Sequence, residues 1–149
     1  MPKLFAVCDL DGTLFNVKHR EQFAREGKWE DFHAQLVNDT VYEDVKTVVN
    51  ALQVAGISVI GLTGRPEKWR KLTIDQMFKN DVNLDMLLMR PDNDFTPDKA
   101  LKPAMLANVF EDEQDALNNV LMIMEDRDRV VEEWRNRGYQ CWHVRSGGY

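Results

Sequence analysis

The chain has 149 residues, 44% hydrophobic and 30% charged, enough to bury a real core in one domain spanning residues 1–149. Its formal charge of −6 disfavours a nucleic-acid binder that works by bulk attraction and leaves room only for a locally basic cleft. No run of 18 apolar residues occurs, and "MPKLFAVCDL" lacks the apolar run and small-residue cleavage site of a leader. No membrane partner and no export are therefore expected, and the expected location is cytoplasmic, or a host cytoplasm if the source is viral.

In chain order, "KLFAVCDL" reads as a first strand buried on both faces, because its hydrophobicity is continuous where a half-exposed strand would alternate. Residues 16–38, "NVKHREQFAREGKWEDFHAQLVN", form a long polar helical stretch, either a small lid over the strand ends or an ordinary crossover helix with solvated charges. Val41, Val45, Val48, Val49 and Leu52 share one helical face that Gly56 stops, and "ISVIGL" is the next strand. Pro66 is expected to open a helix at its first turn, with Trp69, Leu72 and Ile74 on the buried side. Then come the strand "MLLM", a helix carrying Lys102, and the strand "VLMIM". The helix "RDRVVEEWRNRG", with Val130, Val131 and Trp134 inward, leads to a last strand, "YQCWHV". Cys8 and Cys141 lie in apolar segments without metal-ligand spacing and read as reduced core thiols.

This alternation predicts an α/β fold, a Rossmann-like three-layer sandwich around a five-stranded parallel sheet, with a minimal helical cap. In such folds ligands bind at the carboxyl ends of the strands. Asp9 and Asp11 end the first strand, Thr63, Gly64 and Arg65 the second, Glu125 and Asp126 the fourth, and Lys102 begins the helix after "MLLM". Two facing carboxylate clusters repel unless a cation sits between them, and hard oxygen ligands suit Mg²⁺. A carboxylate can attack phosphorus to form an acyl phosphate, while Thr63, nearby backbone amides and Lys102 supply donors and charge. A second carboxylate two residues on can protonate the leaving oxygen and later take a proton from water. Gly12 and Gly64 would let the backbone approach closely.

At these residues the sequence resembles the haloacid dehalogenase superfamily of phosphohydrolases, with "DLDGTLF", "LTGRP", Lys102 and "MEDR" matching its four motifs in order. The resemblance implies that Asp9 is nucleophile and Mg²⁺ ligand, and that Asp11 is acid/base and binds metal through its carbonyl. It also implies Asp126 as a ligand and Glu125 as one reaching the metal through water. More narrowly, the chain is similar to the 3′-phosphatase domain of bacteriophage-type polynucleotide kinases. Arg20 stands eleven residues after Asp9, Arg65 follows the glycine of the second motif, Asp98 precedes Lys102 by four, and "DRDRVVEEWRNRGYQCWHVRSGGY" resembles the closing segment. The likeness implies Gly64, Arg65, Arg20 and Asp98 as substrate-binding residues. It also implies 3′-phosphorylated DNA or RNA ends as substrates, and a functional link to a separate kinase or ligase. Glu125 departs from that family's paired aspartates, and no G-x-x-x-x-G-K-[ST] loop is present, so removal but not addition of phosphate is expected.

Several alternatives stand beside this reading. A D-x-D-G after a strand can be a plain turn, Lys99 competes with Lys102 because Pro103 perturbs the helix start, and Asp98 can cap its helix or hold an arginine. The run Arg65, Lys68, Arg70 and Lys71 is read as a solvated face rather than a nucleic-acid track. His19, His33 and His143 receive no role, and among the tryptophans Trp29 is the best candidate for base stacking. A phosphatase of free nucleotides, a receiver-type phosphoacceptor and an inactive binding module are the rival functions. The receiver reading fails on order, because "MLLM" ends in Arg90 and Pro91 with no acceptor aspartate.

Overall fold

The computed structural model describes residues 2–147; Met1, Gly148 and Tyr149, the last two in the closing segment that carries the resemblance, lie outside the described residues. The first strand, β1 (Phe5–Cys8), takes the centre of the sheet. Its alternation decides the layers: Ala6 and Cys8 face one side with Val45, Val49 and Met77, and Val7 faces the other with Leu106, Val130 and Trp134.

After β1 the chain makes a two-residue strand, β2 (Phe15–Asn16), a 3₁₀ turn (Lys18–Arg20), and the short helices α1 (Glu21–Arg25) and α2 (Trp29–Ala34). Gly27, at φ +72°, turns the chain between these helices. The 16–38 segment is thus helical but broken, and it packs its own small cluster of Val17, Ala24 and Phe32. It closes on the strand β3 (Thr40–Val41), antiparallel to β2, so Val41 is not on the following helix as expected. That helix, α3 (Glu43–Val54), buries Val45 and Val49, and the main sheet continues with β4 (Ser58–Pro66).

Pro66 is the last residue of β4 and does not open a helix. A 3₁₀ turn (Glu67–Trp69) precedes α4 (Arg70–Lys79), whose buried residues are Thr73, Gln76 and Met77, while Ile74 is exposed. The expected apolar face is wrong because the helix turns a polar pair toward the buried Arg65 guanidinium. Next come β5 (Met86–Arg90), α5 (Asp98–Ala107), α6 (Glu113–Asn119), β6 (Val120–Arg127), α7 (Asp128–Asn136) and β7 (Cys141–Gly147). The helix α6 was not anticipated; Asp112 caps it by accepting from the Asp115 N–H.

The sheet is five-stranded and parallel, in the order β5-β4-β1-β6-β7, which gives the three-layer Rossmann-like fold. Central strands β1, β4 and β6 are buried almost throughout, whereas edge residues Met86 and Trp142 are exposed. The chain runs outward from β1 to β4 and β5, then returns to place β6 on the other side of β1. This reversal is the topological switch point, where a crevice opens at the carboxyl ends. Strand pairing is irregular near Thr63–Pro66 and Glu125–Arg127, where chemistry-bearing residues end their strands. Cys8 and Cys141 are buried free thiols. Among the described residues no helix is long and apolar enough to cross a membrane.

Candidate active site

The switch point brings the end of β1 against the end of β6. Asp9 Oδ1 accepts from Lys102 Nζ at 2.9 Å, and Oδ2 accepts from the Thr13 hydroxyl, also at 2.9 Å. Lys102 donates a second bond to Glu125 Oε2 at 2.8 Å, and Thr13 Oγ1 lies 3.3 Å from Asp126 Oδ1. Lys102 is fully buried and Lys99 is exposed, so α5 delivers the first and not the second to Asp9 despite Pro103. Asp9, Glu125 and Asp126 each place one carboxylate oxygen within 4.8 Å of the others. Burial and the neighbouring carboxylates push Glu125 up to about 7 and Asp126 up to about 10. Burial opposes the Lys102 charge, but Asp9 and Glu125 outweigh it and hold the ammonium well above its usual range. With all three ionised, the carboxylates would outnumber the one ammonium by two negative charges, and a divalent cation with hard oxygen ligands fits that donor set. Gly12 permits it: at φ +82°, a Cβ there would lie 2.0 Å from Asp126 Oδ2.

Asp11, one residue beyond Leu10, meets the opposite environment. Its Oδ1 accepts from Arg20 Nη2 at 2.7 Å and from Arg65 Nη2 and Nε at 2.6 and 3.0 Å. Arg20 also grips Asp39 through Nε and Nη2 at 2.8 and 2.7 Å, and its guanidinium lies 4.2 Å from the centre of the Phe32 ring. Arg65 is completed by Thr73 and Gln76, and His19 Nε2 lies 2.6 Å from Asp39 Oδ1. Burial alone would raise the Asp11 carboxyl, but the two guanidiniums outweigh burial and hold it far below the usual carboxylate range. Arg20 and Arg65, expected to bind substrate, are wholly buried beside Asp11 and are not among the residues lining the cavity. Asp39, which anchors them, carries no sequence signal: it is one of two aspartates in "VNDTVYED" and belongs to no motif.

A cavity of about 420 Å³ opens over these groups. Asp9, Asp11, Thr63 and Gly64 line it from the strand ends, Lys102 from α5, Trp29, Phe32 and His33 from the 16–38 segment, and Phe95 and Pro97 from the loop after β5. Asp98 begins α5 without capping it. Its carboxylate pairs with Arg90 and, at 2.8 Å, with Arg127, so the arginines on the cavity are these two, neither foreseen. Gly64 makes this possible, because a Cβ there would lie 2.6 Å from Asp98 Oδ1. His33 also enters the lining unforeseen; burial, then Arg65 and Arg20, push it down to about 4, against the pull of Asp11, and keep the imidazole neutral. Lys68, Arg70 and Lys71 pair with Glu30, Glu67 and Asp75, as a solvated face would.

Residues 3–149 match the family model of the polynucleotide kinase PNKP phosphatase domain. The structure is similar to a chain in the Pnkp1/Rnl/Hen1 complex, at 29% identity and a TM-score of 0.81 over 100% of this chain and 48% of that one. A chain in the Pnkp1/Rnl/Hen1 RNA repair complex matches at 28% identity and a TM-score of 0.81 over 99% of this chain and 44% of that one. The chain thus spans about half the length of these relatives. The haloacid dehalogenase-like family protein SP0104 from Streptococcus pneumoniae shares the fold at 12% identity, with a TM-score of 0.64 over 93% of this chain and 83% of that one.

Proposed function

The chain belongs to the family of polynucleotide kinase PNKP phosphatase domains, and on that premise we propose that it is a Mg²⁺-dependent phosphomonoesterase that removes the 3′-phosphate from DNA or RNA ends. The observation that carries this reading is the buried Asp9 held by Lys102 and Thr13 beside Glu125 and Asp126, at the base of an open cavity. Asp9, Glu125, Asp126 and the Asp11 carbonyl would hold the cation. When bound, Mg²⁺ supplies positive charge for the phosphoryl oxygens and for the ligand carboxylates.

The chain's own residues divide the work. An Asp9 carboxylate oxygen attacks phosphorus, the bond from phosphorus to the nucleoside 3′-oxygen breaks, and a phosphoaspartate forms. Lys102 holds the attacking carboxylate in place, and Thr63 with the Gly64 backbone offers donors to the phosphoryl group. The leaving oxygen needs a proton, which Asp11 supplies as a carboxylic acid. Asp11 then takes a proton from the water that cleaves the phosphoaspartate and releases inorganic phosphate. Arg20 and Arg65 hold Asp11 as the carboxylate, the form that serves the second step. The first step requires Asp11 to give up part of that contact and enter protonated. Residues 16–38 act as a small lid on a single domain, because Trp29, Phe32 and His33 reach the cavity from that segment and leave it open to a strand end.

The likeness to the RNA repair complex supports nucleic-acid ends as substrates and a functional link to a separate kinase or ligase. The test is a panel with Mg²⁺ containing 3′-phosphate, 2′,3′-cyclic phosphate and 5′-phosphate oligonucleotide ends, together with mononucleotides. Release of phosphate chiefly from 3′-phosphorylated oligonucleotides is expected. A preference for mononucleotides would overturn the strand-end reading in favour of a nucleotide phosphatase.

A further inference from the structure

The proposed reaction uses the base of the cavity and leaves its mouth without a role. Trp29 is 48% exposed and Phe95 is 90% exposed, yet both line the cavity that holds Asp9 and Thr63. Single exposed aromatics are ordinary; two from separate segments converging on one reactive cavity are not explained by packing. Trp29 is also a fixed surface. It meets the buried Phe32 edge-on at 5.6 Å and the buried His33 nearly parallel at 6.3 Å, so its ring is held while part of it faces solvent. Arg90 and Arg127, locked by Asp98, supply positive charge on the same cavity, in a protein that is otherwise acidic. At about 420 Å³ the cavity is in the range that buries a small organic ligand, more than a phosphate alone requires.

We infer that Trp29 and Phe95 form a nucleobase subsite, on which the last bases of a strand stack while its terminal phosphate reaches Asp9 and its backbone faces Arg90 and Arg127. This inference rests on the strand-end reading above. Stacking on aromatic rings is tolerant of sequence, because every base presents a π-face. The subsite therefore favours strand ends over small phosphomonoesters without selecting a particular terminal base.

The experiment compares two deoxyoligonucleotides carrying 3′-phosphate, one with all its bases and one abasic at the last two positions. Wild-type protein is expected to favour the complete strand about tenfold in kcat/KM, the scale of one stacked base. Trp29→Ala and Phe95→Ala should each shrink that ratio, and Trp29→Phe should restore most of it. In the Asp9→Asn background, a terminal 2-aminopurine should lose fluorescence on binding, and adding Trp29→Ala should abolish the loss. Equal wild-type rates on the two strands, or a preference that survives both alanine substitutions together, would overturn the subsite. Release from neither strand, nor from their ribonucleotide counterparts, while a mononucleotide 3′-phosphate is hydrolysed would instead sink the strand-end reading, and the subsite with it. Phe95→Ala keeps the test open if Trp29→Ala fails to fold, since the Phe95 side chain is almost wholly in solvent.

Discussion

Asp9 and Asp11 are separated by one leucine, and their surroundings have opposite charge arithmetic. Around Asp9, two further carboxyl groups share the single ammonium of Lys102, so full ionisation would leave two negative charges uncompensated, and without a cation the group holds protons in their place. Around Asp11, two guanidiniums meet two carboxylates, Asp11 and Asp39, and the set balances internally. Burial makes the contrast consequential, because a low-dielectric interior magnifies both repulsion and pairing. The first pocket could be balanced by a cation or by protons, and the second is balanced by its own side chains. On our reading this is why two neighbouring aspartates can take different roles, one reacting beside a metal and the other moving protons.

Neutralising each aspartate in turn should separate the two pockets most sharply. Asp9→Asn should lower phosphate release on the order of 10⁵-fold, as loss of a nucleophile does. Asp11→Asn should cost less, about 10²–10⁴-fold, as loss of an acid/base does, both read from steady-state rates at saturating Mg²⁺. Comparable losses would mean that the two carboxylates do not divide the chemistry.

Stability separates the pockets next. Asp39→Asn leaves Arg20 and Arg65 short of a buried counter-charge and should destabilise the protein by about 3–5 kcal/mol in denaturant unfolding, with or without Mg²⁺. By contrast, Mg²⁺ at a hundredfold excess over its Kd should stabilise wild type by about 2.7 kcal/mol, and Asp126→Asn should remove that gain. An Mg²⁺ response that persists in Asp126→Asn would take this residue out of the metal site.

The same pocket predicts a direction with pH. Burial and the Asp9 charge push Glu125 up to about 7, and burial, Asp9 and Glu125 push Asp126 up to about 10, so near neutrality the metal-free pocket retains protons. Mg²⁺ must displace those protons, and its affinity should therefore rise as pH increases from 6 to 9, with proton release seen by calorimetry in buffers of different ionisation enthalpy. A pH-independent affinity would contradict the crowded-carboxylate picture. The smallest effect is that of Lys99→Ala, which should change stability in denaturant unfolding by less than about 0.5 kcal/mol, as exposed substitutions do, in contrast to the other lysine of the helix. Lys102→Ala should uncouple Asp9 and Glu125 and abolish most turnover.

The sequence made the Asp9 pocket legible and the Asp11 pocket largely not. Buried parallel strands print themselves as apolar runs, and Asp9, Thr63, Glu125 and Asp126 sit at or just past the ends of such runs. The expectation that they converge needed only the sheet. The arginine pocket depends on pairs far apart in the chain, Arg65 with Asp11 and Arg20 with Asp39, and each partner alone looks like a solvated charge. The same holds for Arg90 and Arg127, which both pair with Asp98. Ile74 and Gln76 show the reverse failure: periodicity put the isoleucine inside, but α4 buries the glutamine because Arg65 and the Leu36 carbonyl bond to it. Where a buried face is polar, hydrophobic pattern points the wrong way.

On our reading Asp9 carries the phosphoryl group. Mixing the Mg²⁺-loaded protein with an oligonucleotide bearing a labelled 3′-phosphate, quenching in acid within one turnover and sequencing the labelled peptide tests it directly. The account predicts label on Asp9, appearing before free phosphate and absent in Asp9→Asn. Phosphate release with no label at Asp9, or label on another residue, would contradict it.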